Sequence, residues 1–263
     1  MAKPSTKSIT KEDLERFLET EDDFEFELKL LTICQKHSPD VFHSGTYQDP
    51  ISKLNRQYDF RMYISDGMRV LSLAIECKNL QPYYPLLVSQ VPRTDQEAYH
   101  CYIDGGAFDP EVHLVKGGKS IYPQGGLVGK STTQVGKPAS ANKNGGPDFI
   151  KGDADVYEKW SQAVASASDL IASACNPSLQ KSIILPVLVV PDGTLWTVDY
   201  DESGKRVSSP QLSNACTFYL SKNYKCKAEA GRGKYWISHL NIYTVCGFVE
   251  FLENAKRDMN RWF

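Results

Sequence analysis

The chain has 263 residues, of which 41% are hydrophobic and 24% charged, and a formal net charge of −2. That length buries a full core without disulfide or metal staples, and the composition excludes a disordered chain or a coiled coil. No apolar run approaches the ~20 residues that span a bilayer, so no membrane partner is expected.

Taken in chain order, the opening from Met1 to Phe17 is charged and has no apolar stretch behind it, so no secretory signal is expected and the location reads as cytoplasmic. A first helix is predicted from Ile9 to Leu18 with Thr10 as N-cap, and a second from Phe24 to Gln35. Two strand-like segments follow, Tyr58–Ile64 and Met68–Lys78. The stretch from Asp104 to Gly146, full of Gly, Lys, Ser and Thr, reads as a long irregular loop. A helix is predicted from Asp153 to Ala174, on the helical spacing of Val156, Trp160, Val164, Ala167 and Ile171. Strands Ser182–Val190 and Thr194–Tyr200 flank an Asp192-Gly193 turn. Ile237–Val245 closes the strand series, and Phe248–Met259 forms a last amphipathic helix.

The seven cysteines include no C-x-x-C pair and read as buried free thiols. The five histidines show no H-x-x-x-H spacing, and no G-x-S-x-G elbow is present, which removes zinc and serine hydrolase chemistry. Charge is uneven along the chain. Acids crowd Glu12 to Glu27, whereas Lys116 to Lys151 carries six lysines against the single acid Asp148. Local charge decides contact with phosphate, so the small net charge does not exclude DNA.

The informative stretch runs from Tyr58 to Lys78. On the second arm Leu71, Leu73, Ile75 and Cys77 alternate with Ser72, Ala74, Glu76 and Lys78, and on the first Phe60 and Met62 alternate with Asp59 and Arg61. Side chains on a strand point alternately to opposite faces, so each arm has an apolar face and a charged one. With Asp66-Gly67 as a two-residue turn, Phe60 faces Leu73 and Asp59 faces Ala74. Glu76 is then one diagonal step from Asp59, roughly 7 Å between Cβ atoms. Two carboxylates at that distance repel unless a cation sits between them. Mg²⁺ suits such hard oxygen ligands, with Mn²⁺ as substitute. Charges on one strand face commonly form a solvated surface with weak ion pairs. The apolar run of the second arm, typical of an interior strand, favours a site instead.

The pattern Tyr58-Asp59…Ile75-Glu76-Cys77-Lys78 resembles the PD-(D/E)xK, or restriction-endonuclease-like, nuclease superfamily, although Tyr58 stands where the name calls for Pro. The resemblance implies an α/β fold with a central mixed sheet flanked by helices, here with a C-terminal elaboration. Residues 1–23 would be a helical extension, and 24–263 a single domain with a Gly/Lys-rich insertion near 104–150. It also implies Mg²⁺-dependent endonucleolytic hydrolysis of DNA, in restriction, repair or defence. Asp59, Glu76 and the Cys77 carbonyl would bind metal, and Lys78 would position the water. Such enzymes often add an acid from the preceding helix, for which Glu27 is the first choice and Glu25 the second. Gln162 is an accessory candidate on the later helix. Arg61, Lys130, Lys137 and Lys143 are the candidate phosphate contacts. Pairing into a homodimer is how many such enzymes cut both strands. The alternative is a catalytically idle module of the same fold that binds nucleic acid or protein.

Overall fold

The computed structural model describes residues 6–20, 22–49, 52–105, 114–138, 148–152, 154–174, 180–225 and 234–263. Helices α1 (Lys11–Thr20) and α2 (Phe24–His37) come first. Short strands β1 (Val41–His43), β2 (Thr46–Gln48) and β3 (Asn55–Gln57) precede the hairpin arms β4 (Phe60–Asp66) and β5 (Arg69–Cys77). Strands β6 (Leu86–Pro92), β7 (His100–Asp104), β8 (Leu114–Gly118), β9 (Leu127–Gly136) and β10 (Ile150–Gly152) lead to the long helix α3 (Ala154–Ala174). Then come β11 (Lys181–Val190), β12 (Leu195–Asp199), β13 (Gln211–Leu212), β14 (Ala215–Lys225), β15 (Lys234–Thr244) and the closing helix α4 (Val245–Trp262). No helix is long and apolar enough to cross a membrane among the described residues.

The α/β architecture with a mixed sheet and flanking helices agrees with the expectation. Thirteen strands form one sheet whose main path runs β1-β4-β5-β11-β15-β14-β9-β6-β12-β13. Strand β5 lies between antiparallel β4 and parallel β11, and β11 also runs parallel to β15. Parallel strands covered on both faces need apolar side chains on both, which accounts for the run Ile183–Val190 and for Val70–Ile75, interrupted only by the small Ser72. On one face Phe60, Met62, Leu73 and Ile75 pack with Leu30 of α2 and Phe248 and Leu252 of α4. On the other, Ala74 and Ile184 meet Val164, Ala167 and Ile171 of α3.

Four expectations need correction. The hairpin turn is Gly67-Met68, so Asp66 pairs with Arg69 and Phe60 with Ile75. Only Gly67 has positive φ, +60°, as type II′ turns require at their first position. The slip is two residues, so every side chain keeps its predicted face. Second, the loop expected from Asp104 to Gly146 contains β8 and β9. Third, Ser182–Val190 and Thr194–Tyr200 do not pair across Asp192-Gly193. β12 leaves to run beside β6, whereas β11 stays with β5 and β15. Fourth, Cys34, Cys77, Cys101 and Cys216 are buried free thiols as expected, but Cys246 is exposed; Cys175 and Cys226 lie outside the described residues.

Local signals set the helix ends. The Thr10 hydroxyl accepts from the Asp13 N–H at 3.2 Å while the Asp13 carboxylate accepts from the Thr10 N–H at 3.1 Å, a reciprocal cap that starts α1 where predicted. At α4 the Thr244 hydroxyl accepts from the Gly247 N–H at 3.3 Å and lies 3.2 Å from the Asn214 side chain. Thr244→Ala is expected to cost about 1 kcal/mol, read as a lower urea midpoint at unchanged slope. No change in midpoint would show that the cap is idle.

Candidate active site

The site forms where β4 and β5 leave the sheet at their outer ends. Asp59 lies one residue before β4. Continuing the register by one step sets it opposite Glu76 rather than on the diagonal that the sequence suggested. Its N–H donates to Glu76 Oε1 at 3.4 Å, and its carboxylate turns back over the end of β5 to accept from the Cys77 N–H at 2.8 Å. The Cys77 thiol donates to the same oxygen at 3.4 Å. Of the Cys77 backbone, therefore, the N–H meets Asp59.

Glu76 is fully buried, and its Oε2 has no hydrogen-bond donor. What faces it is an ammonium absent from the sequence prediction, Lys159 of α3. Lys159 Nζ stands 2.9 Å from Asp59 Oδ2 and 3.6 Å from Glu76 Oε2, so both carboxylates share one cation. Glu27 of α2 joins from the opposite side of the sheet. A ligand atom each from Glu27, Asp59 and Cys77 fall within 4.8 Å of one another, and Glu27 also lies 3.5 Å from His43.

Three acids therefore gather around one lysine, and their protonation follows from burial and mutual repulsion. Burial, then the charge of Asp59, pushes Glu76 well above the ordinary carboxylate range. The same two causes raise Glu27 more modestly, offset by Lys159 and His43. Burial alone would lower Lys159, but Asp59 and Glu76 hold it above its usual value. The Cys77 thiol is pushed well up by burial, Asp59 and Glu27. In the metal-free protein this favours the neutral thiol.

A polar cleft of about 460 Å³ opens onto this cluster, lined by Glu27, Arg56, Asp59, Lys159 and Gln162 among others. Gln162 lines this cleft, and its amide donates to Glu158 at 3.4 Å. Glu25 points away from it and pairs with Lys29 at 2.7 Å. Lys78 also stands apart, because β5 ends at Cys77 and the freed side chain turns to Asp23 at 3.0 Å.

Arg61 is not available to phosphate. It is buried, paired with Asp169 at 2.9 Å, bonded to Ser166 and set against the Tyr58 ring at 4.4 Å. Lys130 lies in β9 rather than in a loop, bound to Glu97 and 4.6 Å from the Tyr219 ring centre. Lys137 lines a cavity of about 470 Å³ together with Lys78, Tyr83 and Tyr84, and Lys143 lies outside the described residues.

The missed residue carried a signal. Lys159 is four residues before Ala163 and seven before Ser166, both fully buried. A lysine in register with buried small residues on one helix face points at the protein, not at solvent. Trp160, its neighbour, packs in the core as its spacing implied.

No protein-family model, curated protein or solved structure matches this chain.

Proposed function

We propose that the chain is a divalent-cation-dependent nuclease that hydrolyses phosphodiester bonds of DNA at the cleft over Asp59, Glu76 and Lys159. One observation carries this reading: Glu27, Asp59 and Lys159 line one polar cleft, and Glu76, buried beneath it, keeps an oxygen that lacks any hydrogen-bond donor and lies 3.6 Å from the same lysine. A buried carboxylate oxygen left without a donor costs about 1–3 kcal/mol or more. Such a constellation persists more readily where a further cation completes it. The carboxylate oxygens of Glu27 and Asp59 are hard donors that suit Mg²⁺ or Mn²⁺, with the Cys77 thiol beside them.

Asp59, Glu76 and Glu27 would hold the ion, with the Cys77 carbonyl as the ligand the family resemblance calls for. Bound there, a divalent ion supplies Lewis acidity to a phosphoryl oxygen and lowers the pKa of attached water. The chain's own groups do the positioning. The Cys77 N–H and Lys159 fix the Asp59 carboxylate in one orientation. The Lys159 ammonium and Gln162 line the cleft where a phosphate diester would lie, and Arg56 adds positive charge at its wall. Lys159, rather than Lys78, is the lysine whose ammonium is in contact with the carboxylates.

Cleavage of plasmid and linear DNA by the purified chain tests the proposal. Activity is expected with Mg²⁺ or Mn²⁺ and none with EDTA. Asp59→Asn should lower the rate by roughly 10³-fold, about 4 kcal/mol of transition-state stabilisation, while Lys78→Ala retains activity within about tenfold of it. Absence of cleavage with either metal would sink it. The rival reading is an idle module of nuclease fold, favoured by the fact that Lys159 already neutralises part of the acidic charge. That protein would bind DNA without cutting it.

A further inference from the structure

A second cavity, of about 470 Å³, lies elsewhere in the molecule. Strands β6, β12, β14 and β15 and the end of α4 contribute to its walls, and it shares no lining residue with the cleft over Asp59. Arg93 is the one charged side chain among its described lining residues. It is 6% exposed and pairs with no carboxylate among the described residues. Its guanidinium donates to the carbonyls of Pro123 and Leu127, each at 3.0 Å, and to the Thr217 hydroxyl at 2.6 Å, but Nε is buried without an acceptor. A buried cation whose hydrogen-bond partners are all neutral is costly to retain, even with the charge of Glu97 acting on it.

Gln90 reinforces the point independently. It is 6% exposed and lines the same cavity, and among the described residues its side-chain amide has no hydrogen-bond partner. A β-bulge between Ser89 and Gln90 locally shifts the pairing of β6 with β9, and bulges re-aim side chains at functional places. Thr197 of β12, 3% exposed, lines the cavity as well. Aromatic surface completes it: the Tyr122 ring lies 5.7 Å from the Arg93 guanidinium, and Tyr243, Phe251 and Trp262 form part of the wall. Small-molecule sites commonly combine such apolar walls with a few convergent polar groups.

We propose that this cavity binds a phosphate monoester of nucleoside size, with the phosphate at Arg93, its ring on the aromatic wall and a polar edge at Gln90 and Thr197. A guanidinium matches phosphate in charge and donor geometry. The ring-bearing body follows from the cavity volume and its aromatic lining. The site is separate from the carboxylate cluster and does not depend on DNA cleavage there.

Titration calorimetry of the full chain in EDTA tests it, with adenosine 5′-monophosphate, adenosine and inorganic phosphate as the probes. The monophosphate is expected to bind at least tenfold more tightly than adenosine, because a charged hydrogen bond is lost with the phosphate. Binding of inorganic phosphate, weaker than that of the monophosphate, is expected at Arg93 alone. Arg93→Lys should weaken monophosphate binding by roughly tenfold or more. Arg93 also ties a loop, so Gln90→Leu is the cleaner variant. It removes an amide with no hydrogen-bond partner among the described residues, so melting temperature should hold or rise while affinity falls by roughly tenfold. The proposal is overturned if the monophosphate fails to bind at millimolar concentration. Equal affinity for adenosine and its monophosphate would overturn it too, as would wild-type affinity in Gln90→Leu.

Discussion

Glu76→Gln is expected to abolish DNA cleavage and, in the metal-free protein, to raise the melting temperature. The two effects have one cause. Glu76 Oε2 is buried without a hydrogen-bond donor, and its ion pair with Lys159 is long at 3.6 Å, while Lys159 keeps its closer contact with Asp59 at 2.9 Å. Removing the charge relieves about 1–3 kcal/mol of unmet desolvation, worth roughly 2–4 °C per kcal/mol in a protein of this size. The pH dependence follows by linkage. The folded-state pKa of Glu76 and of Glu27 lies above the ordinary carboxylate value. The folded protein therefore binds more protons than the unfolded chain between those limits. The contribution of these two groups to stability is fullest below the ordinary carboxylate range and is lost as pH climbs through the raised values. Ligand deprotonation is coupled to metal binding, so Mg²⁺ should raise the melting temperature more at about pH 8 than at about pH 5.5. Thermal melts with and without Mg²⁺ across that range measure both effects. A Glu76→Gln protein less stable than wild type would show that the carboxylate is a structural anchor instead.

Lys159→Met should be the most damaging single change at the site. It strips the shared cation from two carboxylates, one of them wholly buried, and loss of one partner from a buried pair costs about 3–5 kcal/mol. The loss is expected at neutral pH and should shrink in acid, where protons neutralise Glu76. The double variant Lys159→Met/Glu76→Gln should recover much of it, because the two residues share one interaction and their effects do not add. Urea unfolding of the four proteins of this cycle gives the coupling. Strict additivity would mean that the lysine acts independently of Glu76, and the electrostatic account of the site would fail.

The hairpin was legible because it is local. Alternation of Leu71, Leu73 and Ile75 with Ser72, Ala74 and Glu76 gave the faces, and a two-residue error in the turn left them unchanged. The Asp66-Gly67 dipeptide misled because either Gly67 or its neighbours could occupy the turn, and only the packed register decides. Lys159 was not legible as a partner of Asp59, since 100 residues separate them and only the docking of α3 brings them together. Lys78 was assigned to the site by its strand position, yet β5 ends one residue earlier, and a flexible side chain beyond a strand end follows the nearest acid, Asp23. Polar β9 and the Gly-containing β8 escaped notice because weak alternation and glycine resemble loop composition. They are strands through their neighbours' backbones rather than through their own propensity.

A sheet of this width would ordinarily offer long unsatisfied margins to other chains. Here the main path stops at β1, three residues, and β13, two residues, while the side branch β10 has three. A further margin, β8, is five residues with Lys116 and two glycines among them, whereas β14 beyond Phe218 pairs with β15 alone among the described strands. Such stubs give a neighbouring copy little ladder to extend. Strand addition by another chain is therefore discouraged at these short stubs, and the backbone of β14 past Phe218 is the longer ladder left open at one side.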